Sequence, residues 1–115
     1  MKPPDPDALE AGLQRLTERL VAWGARRVIL FGSVARGDYH GASDIDLVVV
    51  RETSANFPQR IVEALGACEE ADPPLPVEVL VYTPGEFDRM RAEGHPLLRR
   101  VLAEGRVLYE SRDAA

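Results

Sequence analysis

The sequence has little of what several classes of protein depend on. Its 115 residues include one cysteine, Cys68, which excludes an intrachain disulfide and a metal site built from several cysteines. We interpret Cys68 as a small buried apolar residue on a helix. Lys2 is the only lysine, and the formal net charge is −5. This balance argues against nonspecific nucleic-acid binding, which needs a basic surface.

Long apolar runs are also absent. No segment approaches the roughly 20 apolar residues that span a bilayer, and the first residues lack the apolar core of a secretion signal. We therefore expect no membrane association and a cytoplasmic location. The length predicts one domain, residues 1–115, with one modest core.

The spacing of apolar residues predicts helices alternating with short strands. The expected fold class is α/β (α+β), a mixed sheet of about four strands flanked by helices. On the second long helix, Ile61, Val62, Leu65 and Cys68 are predicted to share the buried side. Helices are predicted from Pro6 to Gly24, from Pro58 to about Glu70, after Thr83 and over Leu97–Glu104, and strands over Arg27–Phe31, Asp44–Val50, Val77–Tyr82 and Arg106–Glu110.

Two aspartates begin the second predicted strand. Residues two apart in a strand face the same side at about 6.5 Å, so Asp44 and Asp46 present two carboxylates to one space. Magnesium prefers a few carboxylates plus substrate phosphates, and two ions about 4 Å apart can support phosphoryl or nucleotidyl transfer. On its own, however, an Asp-x-Asp pair is also common where aspartate caps a turn.

The turn Gly32-Ser33 precedes the aspartates and favours the chemical interpretation. Glycine lets the backbone approach a phosphate closely, and the serine hydroxyl and nearby N–H groups can donate to phosphate oxygens. No Gly-Lys-Ser/Thr follows at the required spacing, which excludes a P-loop.

Two further charged residues leave alternatives open. Glu78 lies in an apolar strand, where it either points to solvent from a sheet edge or supplies a third carboxylate as metal ligand or base. Arg36 either binds phosphate or forms a surface ion pair with Asp38.

For the two histidines and three further arginines, we predict structural roles rather than roles in binding. Neither His40 nor His95 lies among cysteines or other histidines, so both are expected to be hydrogen-bonded loop residues rather than metal ligands. Arg99, Arg100 and Arg106 are expected to form a solvated helical face rather than a basic patch.

The pattern Gly32-Ser33, ten intervening residues and Asp44-x-Asp46, with Ala35-Arg36-Gly37 in the gap, resembles the signature of the DNA polymerase β-like nucleotidyltransferase superfamily. Its minimal nucleotidyltransferase branch is the most similar. The resemblance implies a polymerase β-like fold, ATP as donor and two Mg²⁺ ions. It places Gly32 and Ser33 at the nucleotide and Asp44 and Asp46 at the metals. From the residues themselves, Arg36 is a further candidate for nucleotide binding and Glu78 for metal binding. Glu78 is a departure, because the third acid is commonly aspartate.

The length leaves no room for a domain that binds the acceptor, so something else must recognise it. Minimal nucleotidyltransferases resemble antitoxins whose partner is a HEPN-domain ribonuclease toxin, which implies AMP transfer from ATP to a tyrosine of that partner. Two alternatives remain. The chain could neutralise a HEPN partner by association alone, or it could modify a small molecule such as an antibiotic. The terminal strand could also pair with a second copy, giving a homo-oligomer.

Overall fold

The computed structural model describes residues 1–112 and confirms the expected α/β class. Every predicted element is present, with bounds that differ by a residue or two. None of the helices in residues 1–112 is both long and apolar enough to cross a membrane. The elements in chain order are α1 (Pro6–Trp23), β1 (Arg27–Phe31), α2 (Gly32–Arg36), β2 (Ile45–Val50), α3 (Phe57–Glu69), β3 (Val77–Tyr82), α4 (Pro84–Ala92), α5 (Pro96–Glu104) and β4 (Arg106–Glu110).

The sheet is mixed, with the strand order β3-β2-β1-β4. β1 is antiparallel to both β2 and β4, whereas β2 and β3 are parallel and are joined by the crossover that contains α3. β2 is therefore an inner strand, as its valine-rich sequence predicted. β3 lies at the edge of the sheet. Glu78 can therefore be exposed to solvent at this edge and still supply a third carboxylate to the site.

Helices cover both faces of the sheet. On one face, α1 and α3 pack against one alternate set of strand side chains, including Leu30, Leu47 and Val49. On the other face, residues of α4 and α5 pack against Ile29, Phe31, Val48 and Val50. Because side chains alternate along a strand, Asp46 shares the face of Val48 and lies toward α4 and α5.

The buried side of α3 differs from the prediction at two positions. Arg60, Ala64 and Cys68 are buried at a spacing of four residues, while Val62 is 64% exposed and Leu65 is 36% exposed. At 100° per residue, Val62 lies about 200° from both Arg60 and Ala64, which places it on the opposite side. The expectation for Cys68 is confirmed, since it is buried and burial raises the pKa of its thiol to about 11.

The start of α4 is held by a reciprocal cap that Thr83-Pro84-Gly85-Glu86 predicts. The Thr83 hydroxyl accepts from the Glu86 N–H at 3.2 Å, and a Glu86 carboxylate oxygen accepts from the Thr83 N–H at 2.8 Å. Glu86 also pairs with the buried guanidinium of Arg60 at 2.7 Å. The cap therefore joins α4 to α3.

Replacing Thr83 by alanine is expected to lower the free energy of unfolding by about 1 kcal/mol, the usual cost of losing an N-cap side chain. Thr17→Ala is the matched control, because the one hydrogen bond of the Thr17 hydroxyl among residues 1–112 is the bond that it donates to Leu13 O within α1. Urea denaturation should place the control within about 0.5 kcal/mol of the parent protein. If both variants lose the same free energy of unfolding, the Thr83 cap does not make the expected contribution to stability.

Candidate active site

The Gly32-Ser33 turn brings the backbone against an aspartate side chain. β1 ends at Phe31, and α2 begins at Gly32 with φ at +76°. A Cβ at position 32 would overlap the Oδ2 atom of Asp46. Glycine is therefore needed here both for its backbone angle and for the space that the Asp46 carboxylate occupies. Ser33 follows, half-buried, in the only turn of this short helix.

Asp46 and Glu78 occupy matching places on neighbouring strands. They are partners in the parallel register of β2 and β3, and both lie on the sheet face toward α4 and α5. Burial, a hydrogen-bonding contact with Glu78 and the charges of Glu78 and Asp44 together raise the pKa of Asp46 to about 6, against a smaller opposing effect of Arg100. Near neutral pH this pair crowds negative charge into a partly buried place.

Asp44 lies one residue before β2, half-buried, and its charge contributes to the raised pKa of Asp46. The three acids do not converge fully. Within the described part of the chain, no three His, Cys, Asp or Glu side chains are close enough together to cage a metal ion. The structure thus brings Asp46 and Glu78 into contact and leaves Asp44 as a nearby third charge.

The donor set nevertheless suits magnesium. Carboxylate oxygens are hard ligands, and Mg²⁺ is usually held by one or two carboxylates together with waters and substrate phosphates rather than by an all-protein cage. A cation beside Asp46 and Glu78 would also offset the burial and the repulsion that together raise the pKa of Asp46. Asp46, Glu78 and Asp44 are therefore the residues that would hold it.

Glu104 of α5 accepts hydrogen bonds from two arginines and from the backbone of the Gly32-Ser33 turn. One of its carboxylate oxygens accepts from the Gly32 N–H at 3.2 Å and from Arg100 Nε at 3.1 Å. Arg36 Nη1 lies 3.2 Å from both oxygens of Glu104, and Arg36 Nε donates to Asp38. Burial alone would raise the pKa of Glu104, but the hydrogen bonds from Arg100, Arg36 and Gly32 outweigh it and lower that pKa.

The sequence analysis missed Glu104. Its spacing of four residues from Arg100 indicates an ion pair on one helix face, but nothing local places that pair beside a turn 72 residues earlier. The ion pair between Arg36 and Asp38, one of the two alternatives, is present at 3.2 Å.

The two histidines and Arg106, for which the sequence predicted structural roles, make hydrogen bonds or ion pairs within the fold. His40 Nδ1 accepts from the Ala42 N–H, and His95 Nδ1 accepts from the Leu97 N–H as the N-cap of α5. Arg106 lies on β4 rather than on a helix, and it pairs with Glu10 of α1.

The sequence profile of one protein family matches most of the chain. It is described as a nucleotidyltransferase domain, and the match covers residues 13–109. The chain belongs to this family. The nucleotidyltransferase is also 32% identical, over 84 residues, to a proposed protein adenylyltransferase of Methanocaldococcus jannaschii; the match covers 73% of this chain and 78% of that protein.

Solved structures share the fold of this nucleotidyltransferase. A crystal structure of a toxin-antitoxin with AMP-PNP aligns with a TM-score of 0.60 at 20% identity, covering 86% of this chain and 74% of that one. A mutant MntA-HpeT toxin-antitoxin structure aligns with a TM-score of 0.62 at 19% identity, covering 87% and 74%. At such identities the likeness confirms the nucleotidyltransferase fold that the Gly32-Ser33 and Asp44-x-Asp46 motif implied.

Proposed function

We propose that this nucleotidyltransferase transfers AMP from ATP to a tyrosine hydroxyl of a partner HEPN-domain toxin, with Mg²⁺ as cofactor, and thereby acts as its antitoxin. The observation that carries the proposal is the packing of Gly32 against the Asp46 carboxylate, with Glu78 in contact on the next strand. Ten residues separate the Gly32-Ser33 turn from Asp44 in the sequence. In the fold, the turn lies directly against the Asp46 carboxylate.

The proposed roles follow from this arrangement. Gly32, Ser33 and Arg36 bind the triphosphate, and Asp44, Asp46 and Glu78 hold the divalent ions. Bound Mg²⁺ supplies charge neutralisation at the phosphates and lowers the pKa of the attacking hydroxyl. The acceptor oxygen forms a bond to the α-phosphorus as the bond from that phosphorus to the bridging oxygen breaks. Pyrophosphate leaves, and the hydroxyl proton passes to a carboxylate, for which Glu78 is placed.

The known proteins support the choice of acceptor. The relative from Methanocaldococcus jannaschii carries a proposed activity of protein adenylylation, and the two structural neighbours described above are toxin-antitoxin proteins, one of them studied with AMP-PNP.

The direct test mixes the purified chain, a HEPN partner and ATP labelled in the adenosine moiety. With Mg²⁺, label should appear on the partner, and with EDTA it should not. The control variant Asp44→Ala/Asp46→Ala should transfer no label. Absence of transfer by the parent protein, or transfer that survives the double substitution, would refute the proposal.

Two observations favour a second candidate, neutralisation by association alone. The three acids do not form a closed metal cage among residues 1–112, and Glu78 is exposed on an edge strand. Co-expression with the toxin separates the two candidates. If the double aspartate variant still protects cells, association suffices. If protection is lost while the variant still binds the toxin, transfer is required.

A further inference from the structure

Arg100 of α5 lies beside the proposed site but belongs to no part of the sequence motif. Its guanidinium stands over the ring of Phe31, 5.6 Å from the centroid, and its Nε donates to Glu104 at 3.1 Å. Phe31 immediately precedes the Gly32 turn and pairs with Asp46 in the β1–β2 register. Two independent contacts therefore hold Arg100 at the junction of the turn and the acids.

The contact with Phe31 also places Arg100 beside the acid cluster. Phe31 is the register partner of Asp46, and the next residue, Gly32, packs against the Asp46 carboxylate. Any anion that reaches both the Gly32 turn and the divalent ions must therefore pass near this guanidinium.

Arg100 has more donors to offer than Arg36. The guanidinium of Arg36 is shared between the carboxylates of Asp38 and Glu104. Among the described residues, Arg100 makes its ion pair with Glu104 alone, through Nε, and its side chain is 55% exposed. A guanidinium carries five N–H donors in a planar fork that matches phosphate oxygens. The Nη groups of Arg100 therefore remain available to donate to a ligand.

We propose that Arg100 is an additional nucleotide-binding residue that contacts the triphosphate tail, and that Glu104 is the positioning residue that orients it. The inference rests on the proposed function, since it assumes that a nucleoside triphosphate occupies this site. Glu104 suits the positioning role because its carboxylate also accepts from the Gly32 N–H, so it fixes Arg100 to the same backbone group that begins the phosphate turn.

The test compares the binding of ATP and of AMP, each with Mg²⁺, by isothermal titration calorimetry on the full chain. Arg100→Gln is expected to weaken ATP binding by about tenfold, the size of a lost charge-assisted hydrogen bond to phosphate. AMP binding should change by less than about twofold, because the lost contact is with the tail. Arg100→Lys should lie between the parent protein and Arg100→Gln.

Arg99→Gln is the matched control, because Arg99 is the adjacent exposed arginine of α5 and has no ion pair in the described part of the chain. It should bind both nucleotides as the parent protein does. Glu104→Gln should reproduce part of the loss for ATP in the parent background and cause a smaller loss in the Arg100→Gln background, where only its contacts with Arg36 and the Gly32 N–H remain to be lost. That result separates positioning of Arg100 from a general effect on the fold.

The outcomes distinguish this inference from the proposed function. If the parent protein binds ATP and Arg100→Gln binds it equally well, Arg100 does not contact the triphosphate tail, and the proposed function stands. Equal losses for ATP and AMP also contradict a contact with the triphosphate tail. If the parent protein binds no ATP, both proposals fail. Thermal unfolding of each variant, expected to match the parent protein, shows that the binding data report on folded protein.

Discussion

Asp46→Asn is expected to abolish nucleotidyl transfer and, in the absence of divalent ions, to make the protein more stable. The asparagine keeps the size of the side chain and removes a charge that burial disfavours and that Glu78 and Asp44 repel. Losing a carboxylate that holds a catalytic cation removes several kcal/mol of transition-state stabilisation, which corresponds to a decrease in transfer rate of about a thousandfold or more.

The gain in stability should depend on pH. The folded-state pKa of Asp46, about 6, lies above its ordinary value of 3.8. The protonated carboxyl is therefore favoured by folding, and its contribution is present below pH 3.8 and is lost as pH rises through about 6. Asparagine cannot ionise and keeps that contribution at every pH. Since the side chain is partly exposed, solvent screening reduces the expected gain to about 1 kcal/mol above pH 7.

Thermal unfolding at pH 5 and pH 8 in EDTA measures this effect. The melting temperature of Asp46→Asn should exceed that of the parent protein at pH 8, and the difference should narrow at pH 5. Asp38→Asn is the control, because Asp38 is exposed and pairs with Arg36, so its neutralisation should give no gain. A less stable Asp46→Asn at pH 8 would show that the acid cluster is not repulsive in the free protein.

Local sequence patterns predicted the parts of the site that depend on local geometry. The break after Phe31 follows from Gly32, and the inner position of β2 follows from its apolar residues on both faces. Strand alternation also put Glu78 on the same face as Leu80 and Tyr82. It could not show that Asp46 is the partner of Glu78, because register is fixed by the pairing of β2 with β3 rather than by either strand alone.

The parts that escaped prediction depend on long-range packing. Arg100 and Glu104 reach the turn only because α5 packs across Phe31, Val48 and Val50, and no pattern in α5 itself encodes that contact. The predictions that Val62 and Leu65 are buried were wrong for a related reason. The buried side of α3 includes Arg60, whose charge is paired with Glu86 of α4, and a pattern based on apolar residues cannot assign an arginine to a core.

Gly32→Ala is expected to reduce transfer by about a hundredfold, because the added Cβ overlaps the Asp46 carboxylate and must displace it from its place beside Glu78. The positive φ of +76° adds a backbone cost of about 1 kcal/mol for any residue with a side chain. Two effects therefore combine at this position, and a control that isolates the backbone cost is needed.

Gly37 provides that control at the other end of α2. Its φ is +84°, so alanine there meets the same backbone cost, but a Cβ at position 37 has nothing within 4 Å among the described residues. Gly37→Ala should thus lose about 1 kcal/mol of stability and keep most of its transfer rate. Label transfer and urea denaturation of both variants measure the difference. Equal transfer rates would mean that contact between the turn and Asp46 does not govern catalysis, because the two variants differ chiefly in the clash with that carboxylate.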